Sequence, residues 1–274
     1  MLYYFFVKLL RMMPRGLLRK FAYSKFGSSL VLSIKKKEFA NKKWYHVYED
    51  IKMYSSITSP RTWDIISGKD PELRIKNIFL NNIQAGDIVF DVGANVGEYS
   101  LIASKKVGDN GKVICIEPNV VALQELTDNI KLNHFTNTEI LNCAVGENTG
   151  KTIVYNNPLN EMSTIDVVAE SKDLSSSSEI EVKTLDEIIF GNASKIINLL
   201  KMDIEGYEYE ALLGCKNSFS KNLIKKILCE IHPLYLKNKG LSPQKIFDFL
   251  KSYGFKIDVL EETPKNIYIL ATKE

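Results

Sequence analysis

The segment at residues 88–97, IVFDVGANVG, constrains the fold of this 274-residue chain more than any other. A short apolar run ends in a carboxylate, passes through a glycine-bearing turn and enters a helical pattern at about residue 96. This pattern predicts the first strand, turn and helix of an open α/β sheet, where glycines let the backbone approach a nucleotide-like ligand. About twenty residues beyond Gly97, a second apolar run ends in Glu117. A carboxylate there accepts hydrogen bonds from both ribose hydroxyls, so the two signals indicate an adenosine-containing ligand.

Apolar runs and helical patterns alternate along most of the remaining chain. Strands are predicted at about 87–92, 112–117, 138–143, 196–202 and 224–231. Helices are predicted at about 70–82, 96–106, 119–133 and 243–252. One more helix is predicted to begin at 184, and another, after the strand at 196–202, to end at about 216. This alternation predicts an α/β fold with a mostly parallel, Rossmann-like sheet and right-handed crossovers. Two final strands, at about 256–260 and 267–272, have so short a connection that they must form a terminal antiparallel hairpin.

A segment at 147–183 interrupts the alternation. Short strands at 151–155 and 179–182, joined through a Ser-rich loop, indicate an inserted hairpin. An insertion after the third strand would lie near the ligand-binding edge, where it forms either part of a substrate pocket or a decorative loop. Nearer the N-terminus, weaker patterns allow strands at 28–34 and 44–53.

Charge divides the chain into a basic N-terminal arm, residues 1–69, and a domain, residues 70–274. Residues 1–43 hold 11 Lys and Arg and one acid, a net of +10, which leaves −7 for the remainder because the total is +3. The first residues are apolar but charged at two positions, and are too short to span a bilayer, which needs about 20 apolar residues. They predict an amphipathic helical arm that either makes peripheral membrane contact through residues 1–20 or packs on protein.

Four widely separated cysteines lack the spacing of a zinc site, and nothing at the N-terminus has the pattern of a secretory signal. Scattered cysteines of this kind are typical of buried, reduced thiols. The sequence therefore predicts a cytoplasmic protein, with any membrane contact at the inner face.

Five motifs follow one another in a characteristic order. They are DVGANVG at 91–97, EP at 117–118, NCAVG at 142–146, LKMDIEGYE at 200–208 and EIH at 230–232. Together they resemble the FkbM family of class I methyltransferases, which use S-adenosylmethionine, and the resemblance covers about residues 70–273. It implies the class I methyltransferase fold and S-adenosylmethionine as the cofactor.

The resemblance also implies which residues hold the cofactor. A loop under its methionine part would be formed by Asp91, Gly93, Asn95 and Gly97. Glu117 would hold the ribose hydroxyls, and Asn142 and Ala144 fall where such enzymes contact adenine. Tyr99 and Ser100, in the first turns of the following helix, are candidates for contact with the cofactor carboxylate. Asn95 takes the place of the middle of three glycines in many class I enzymes, which agrees with the FkbM pattern.

Candidate catalytic residues lie at the carboxyl ends of two strands that should be neighbours. Asp203 ends one strand, and Glu205 follows at a helix start, where a cap or dipole role is the alternative. Glu230 and His232 are two residues apart on the next strand, so alternation directs both to one side of the sheet. Either His232 or Asp203 is a suitable base for a hydroxyl acceptor. An oxygen-rich cluster could also bind magnesium, but the spacing does not demand it, and no metal is predicted.

The sequence therefore predicts an S-adenosylmethionine-dependent O-methyltransferase. The family resemblance implies an acceptor hydroxyl on a sugar, glycolipid or related secondary metabolite, and the basic arm favours a lipid-linked glycan. Three alternatives stay open: an NAD-dependent oxidoreductase, a non-catalytic cofactor-binding fold, and an RNA methyltransferase guided by the arm. The first needs G-x-G-x-x-G, whereas this turn offers only Gly93 and Gly97. The third needs an arm suited to binding RNA, but the arm beyond Leu10 has few interleaved arginine and aromatic residues, so nucleic acid is an unlikely partner.

Overall fold

The computed structural model describes residues 17, 24, 29–30, 33, 44–54, 70–155, 177–192 and 196–273. Most of the predicted amphipathic arm, including nearly all of residues 1–20, therefore lies outside the described residues. The described residues of the segment 28–34 are helical, so the strand predicted there is wrong. The boundary between residues 69 and 70 stays a prediction.

The described residues form strands and helices at the following positions. The strands are β1 (Trp44–Tyr48), β2 (Ile51–Tyr54), β3 (Ile88–Val92), β4 (Lys112–Ile116), β5 (Thr138–Leu141), β6 (Ala144–Val145), β7 (Gly150–Tyr155), β8 (Ser177–Lys183), β9 (Leu199–Met202), β10 (Lys226–Ile231), β11 (Phe255–Glu262) and β12 (Ile267–Lys273). The helices are α1 (Leu73–Asn81), α2 (Glu98–Val107), α3 (Val120–Leu132), α4 (Leu185–Gly191), α5 (Glu208–Leu213), α6 (Lys216–Ser220), α7 (Pro233–Asn238) and α8 (Pro243–Ser252).

Seven strands form the central sheet in the order β11-β12-β10-β9-β3-β4-β5. Strands β5, β4, β3, β9 and β10 run parallel, and β12 lies antiparallel between β10 and β11. This confirms the predicted α/β sheet and its terminal antiparallel hairpin, an arrangement typical of class I methyltransferases. Strand order reverses between β3 and β9, and the crevice at such a switch point is where open α/β sheets bind ligands.

Apolar side chains cover both faces of the sheet, as expected for parallel strands whose residues are almost continuously hydrophobic. One face packs against α4 to α8, through residues such as Ile188, Leu212 and Leu250. The other packs against α1, α2, α3 and the β1–β2 hairpin, through residues such as Phe79 and Leu101. With the faces covered, the carboxyl edge of the parallel strands is left for the site.

The β1–β2 hairpin, predicted as one strand, is fastened to α3 by side-chain amides. Asn133 Oδ1 accepts a hydrogen bond from the backbone N–H of Lys52 at 2.9 Å, and its Nδ2 donates to Lys52 O at 2.6 Å. Asn129, which is fully buried, accepts from Tyr54 N at 2.6 Å and donates to Val96 O at 2.9 Å. Asn129 therefore joins the hairpin to the loop between β3 and α2.

The insertion after β5 forms a second, three-stranded sheet in the order β6-β8-β7. Strands β7 and β8 pair antiparallel, which confirms the predicted hairpin, and residues 156–176 between them lie outside the described residues. The start of α4 is capped, since Thr184 Oγ1 accepts from Glu187 N at 3.1 Å. The helix predicted up to residue 216 is instead divided into α5 and α6.

Candidate active site

Left-handed backbone conformations shape the loop between β3 and α2. Gly93 has φ +80°, Asn95 +48° and Gly97 +98°, in the region that favours glycine and tolerates Asn. A Cβ on Gly93 would lie 1.8 Å from the backbone oxygen of Asp203, and one on Gly97 would lie 2.5 Å from Leu126 Cδ1. The two glycines therefore let the loop approach the end of β9 and the side of α3.

Asp91 supports this loop from behind. Its carboxylate is fully buried, and Oδ2 accepts a hydrogen bond from Ser100 Oγ at 2.6 Å. Lys201 on β9 brings Nζ to 3.4 Å from Asp91 Oδ1, to 3.4 Å from Gly93 O and to 3.8 Å from Asp203 Oδ2. A buried cation thus ties the end of β3 to the end of β9, a link that the sequence did not reveal.

A cavity of about 100 Å³ opens at the carboxyl ends of β3, β4 and β9. Its walls are formed by Val92, Gly93, Asn95, Ile116, Glu117, Pro118, Cys143, Ala144, Val145, Asp203, Ile204, Glu205 and Tyr207. Six of the predicted site residues are in this set. The loop, the end of β4 and the first residues of β6 thus meet around one space, as the motif order predicted.

Glu117 is oriented by the backbone. Its Oε2 accepts a hydrogen bond from Asn95 N and its Oε1 from Asn119 N, each at 2.8 Å. Burial raises the pKa of Glu117 to about 7, although these two hydrogen bonds lower it. A carboxylate has about four lone-pair sites, so two remain for further donors. These two acceptor sites fit the two hydroxyls of a ribose, and the glycine-lined approach fits the rest of an S-adenosylmethionine.

Five of the predicted cofactor residues lie outside the cavity wall, namely Asp91, Gly97, Tyr99, Ser100 and Asn142. Asn142 Nδ2 donates to Glu117 O at 2.9 Å and to Pro118 O at 3.2 Å, so its side chain braces the backbone of the segment that carries Glu117. The Tyr99 hydroxyl donates to Glu72 Oε2 at 3.1 Å. Direct contact of either side chain with the cofactor stays a prediction.

His232 lies among four carboxylates beside this cavity. Its Nδ1 is hydrogen-bonded to Glu208 Oε1 at 2.8 Å. Its Nε2 lies 3.4 Å from Glu205 Oε2, 3.7 Å from Glu230 Oε1 and 3.8 Å from Asp203 Oδ1. The structure thus brings together the four predicted catalytic residues and adds a fifth, Glu208. We call the four carboxylates around His232 the carboxylate cluster.

Glu208 was not predicted as a site residue, although it belongs to the LKMDIEGYE motif. It begins α5, is fully buried, and accepts from Gly206 N at 2.9 Å as well as from His232. Gly206 has φ +97°, and a Cβ there would meet Tyr235 Cβ at 2.3 Å. The available signal was a glycine followed two residues later by an acid at a helix start.

Burial sets the electrostatics of the carboxylate cluster. It raises the pKa of Glu205 to about 7 and that of Glu230 to about 8, with the charge of Asp203 adding to both shifts. Burial alone lowers the pKa of His232, but the hydrogen bond with Glu208 and the charges of Glu205 and Asp203 raise it to about 9. The cluster is therefore a set of proton acceptors around one strongly basic imidazole.

The fold, a mixed seven-stranded sheet that ends in an antiparallel hairpin, is that of class I S-adenosylmethionine-dependent methyltransferases. The sequence profile of the methyltransferase FkbM domain matches residues 91–257, more than half of the chain. The chain thus belongs to the FkbM methyltransferase family, and the predicted family and cofactor are confirmed.

Known relatives are distant. Hexuronic acid methyltransferase AglP from Haloferax volcanii is 22% identical over 206 residues, which cover 74% of this chain and 77% of that protein. Methyltransferase sdnD from Sordaria araneosa is 27% identical over 207 residues, covering 64% and 76%. A solved structure of methyltransferase FkbM from Methylobacillus flagellatus KT is 17% identical with a TM-score of 0.47, covering 89% of this chain and 58% of that chain.

Proposed function

We propose that this methyltransferase transfers the methyl group to a hydroxyl of a sugar, glycolipid or related secondary metabolite. The observation that carries the proposal is the carboxylate cluster at the edge of the cofactor cavity. Carboxylates accept hydrogen bonds from hydroxyls, and at this position they can also accept the proton that a hydroxyl loses. The similarity to a hexuronic acid methyltransferase supports a sugar acceptor.

S-adenosylmethionine, when bound, supplies an electrophilic methyl group on a sulfonium. The protein residues orient the two reactants, and alignment supplies much of the acceleration in such a displacement. In this proposal Glu117 holds the ribose, the 93–97 loop lies under the methionine part, and Asp203 faces the acceptor because it lines the cavity and its side chain is 31% exposed. The four carboxylates favour an uncharged hydroxyl over an anionic acceptor group.

The site assignment is tested by pairing two substitutions. Asp203→Asn should retain S-adenosylhomocysteine binding in calorimetry but lose at least about 100-fold in turnover, the low end of what a positioned base contributes. The exposed residue Asp109 gives the matched control, Asp109→Asn, which should change neither. Full turnover in Asp203→Asn would refute the assignment.

The acceptor oxygen is identified from the product. The protein is incubated with methyl-labelled S-adenosylmethionine and a panel of neutral hexosides and hexuronosides, free and lipid-linked. A methyl ether survives mild alkali, whereas a methyl ester releases labelled methanol. The proposal predicts alkali-stable label on a hydroxyl, and label released as methanol would refute it.

We extend the proposal to a lipid-linked glycan and peripheral contact with the inner membrane face. The support is the +10 net charge of residues 1–43. Among the residues that the structure describes, no helix has the length and apolar character needed to cross a bilayer. Unchanged binding to anionic liposomes at low salt after deletion of residues 1–20 would contradict the membrane contact.

A further inference from the structure

The two ring nitrogens of His232 face the same kind of group. Nδ1 is hydrogen-bonded to Glu208, and Nε2 is surrounded by oxygens of Glu205, Glu230 and Asp203 at 3.4 to 3.8 Å. A neutral imidazole has one donor nitrogen and one acceptor nitrogen. Its lone pair would therefore point at carboxylate oxygens, whichever tautomer is present. Only a protonated carboxyl could donate to that lone pair, whereas a doubly protonated ring directs an N–H to both sides, with Nδ1 hydrogen-bonded to Glu208 and Nε2 at ion-pair distance from the other three carboxyl groups.

We infer that His232 is a resident imidazolium that holds the carboxylate cluster in place, and that Asp203 is the base. Only the second claim, that Asp203 is the base, rests on the proposed hydroxyl acceptor. There, the acceptor O–H bond breaks and its proton passes to the Asp203 carboxylate. The acceptor oxygen bonds the methyl carbon while the carbon–sulfur bond breaks, and that electron pair stays on sulfur.

Charge balance supports the same arrangement. Four carboxyl groups converge where burial limits screening by water, and the His232 ring lies within 3.8 Å of an oxygen of each. An imidazolium held by a buried acid on one side can present its second N–H to the others without moving. His232 is thus a positioning residue, because its contacts are with the cluster.

The groups facing His232 come from every neighbouring element. Glu208 belongs to α5, Asp203 and Glu205 to the loop after β9, and Glu230 to β10. On α7, the Tyr235 ring lies 5.9 Å from the imidazole, centroid to centroid. Beyond this layer, Lys201 lies 3.8 Å from Asp203, and Asn266 donates to Glu230. Acids dominate this environment, which agrees with a pKa of about 9 for His232.

The protonation state is measured directly by NMR of the full chain with ¹⁵N-labelled histidine. His232→Gln assigns the signal, and His46 and His134 provide references in the same spectrum. Near pH 7.5, both His232 nitrogens should show the similar shifts of an imidazolium, and this state should persist to about pH 9. One strongly deshielded, unprotonated nitrogen near pH 7.5 would overturn the inference. This measurement needs no acceptor, so it remains decisive even if the proposed function fails.

Turnover distinguishes a cation from a base. His232→Lys keeps the positive charge but cannot accept a proton near neutral pH, whereas His232→Gln loses the charge. We expect the Lys variant to keep kcat within about 10-fold and the Gln variant to lose about 100-fold or more. Thermal unfolding verifies that both variants fold, and if either does not, the NMR result decides alone. For the unsubstituted protein, kcat should fall above about pH 9 as the imidazolium is lost, and a rise through that range would overturn the inference.

A metal ion would require the opposite state of the ring, since it would bind an unprotonated nitrogen. The nearest ligand-type atoms of Asp203, Glu205 and His232 lie within 4.8 Å of one another, so equilibrium dialysis with Mn²⁺ alone is an informative control. We expect no binding that depends on these side chains. Stoichiometric Mn²⁺ binding that is abolished by Asp203→Asn would overturn the inference.

Discussion

Replacing Lys201 with Met tests the buried ion pair with Asp91 beneath the 93–97 loop. Met nearly matches Lys in length and removes its charge, which leaves the fully buried Asp91 without its cation. Asp91 Oδ1 has no hydrogen bond to any described residue, so it has no substitute partner. The side chain of Lys201 is only 9% exposed, so water cannot take the place of the ammonium without rearrangement.

The expected loss follows from the geometry. Two unit charges 3.4 Å apart interact by about 5 kcal/mol at an effective dielectric constant of about 20. Removing one partner of a buried pair costs about 3–5 kcal/mol, because the other charge remains buried. For a chain of this size we expect the Tm to fall by roughly 6–20 °C. Burial lowers the pKa of Lys201, but the charges of Asp91 and Asp203 outweigh it and raise the pKa. The contribution is therefore fully present below about pH 10 and is lost as the pH rises further.

The measurement is urea unfolding of four proteins: unsubstituted, Lys201→Met, Asp91→Asn with Lys201→Met, and Lys256→Met. Lys256 is an exposed control whose side chain is 63% accessible, and its substitution should change the free energy of unfolding by less than about 0.5 kcal/mol. The double variant removes both charges and should be more stable than Lys201→Met alone. A loss below about 1 kcal/mol in Lys201→Met, or no recovery in the double variant, would refute the reasoning.

Two further predictions concern the cofactor loop. Gly93→Ala should destabilise the fold and abolish measurable S-adenosylhomocysteine binding, because its Cβ would lie 1.8 Å from Asp203 O. Gly108 also has a positive φ, +65°, but with ψ −172° it lies in a region that is almost exclusive to glycine, and a Cβ there would meet nothing within 4 Å. Gly108→Ala should therefore cost only the backbone strain of about 1–3 kcal/mol and leave binding unchanged; equal effects on binding in the two variants would contradict the steric argument. Asn142→Ala removes the brace behind Glu117 and should weaken S-adenosylhomocysteine binding about 5-fold in calorimetry, the equivalent of about 1 kcal/mol, and unchanged affinity would show that this brace is dispensable.

The fold was predictable from the sequence because most of its elements are marked by patterns within a few consecutive residues. The apolar runs of β3, β4 and β10 and the glycines at 93 and 97 are constraints that a short window displays, and the structure has these elements where the sequence predicted them. Helix α7 was missed because six residues are too few to display a helical period, although Pro233 at its first position is a readable start signal.

The candidate site was predictable only in part because its partners are distant in sequence. Alternation placed Glu230 and His232 together, and the strand order brought Asp203 beside them. The Glu208 contact depends on the start of α5 meeting the residue after β10, and the Lys201 contact depends on the pairing of β3 with β9. No periodicity within one segment records such pairings. Asn142 illustrates the same limit, since its amide donates to Glu117 O, which is distant in sequence and lies nearby only in the folded chain.

The side-chain amide of Asn129 connects the β1–β2 hairpin to the loop between β3 and α2. Its Oδ1 accepts a hydrogen bond from Tyr54 N and its Nδ2 donates one to Val96 O, so one fully buried side chain binds both the hairpin and the loop. If the hairpin were removed, Asn129 would keep its hold on the loop but lose a donor, at a cost of about 1–3 kcal/mol. We therefore expect the smallest independently stable unit to begin before β1, well ahead of the first residue that the family profile matches. Disturbance of the hairpin should then be registered as weaker cofactor affinity, even though the hairpin contributes nothing to the cavity wall.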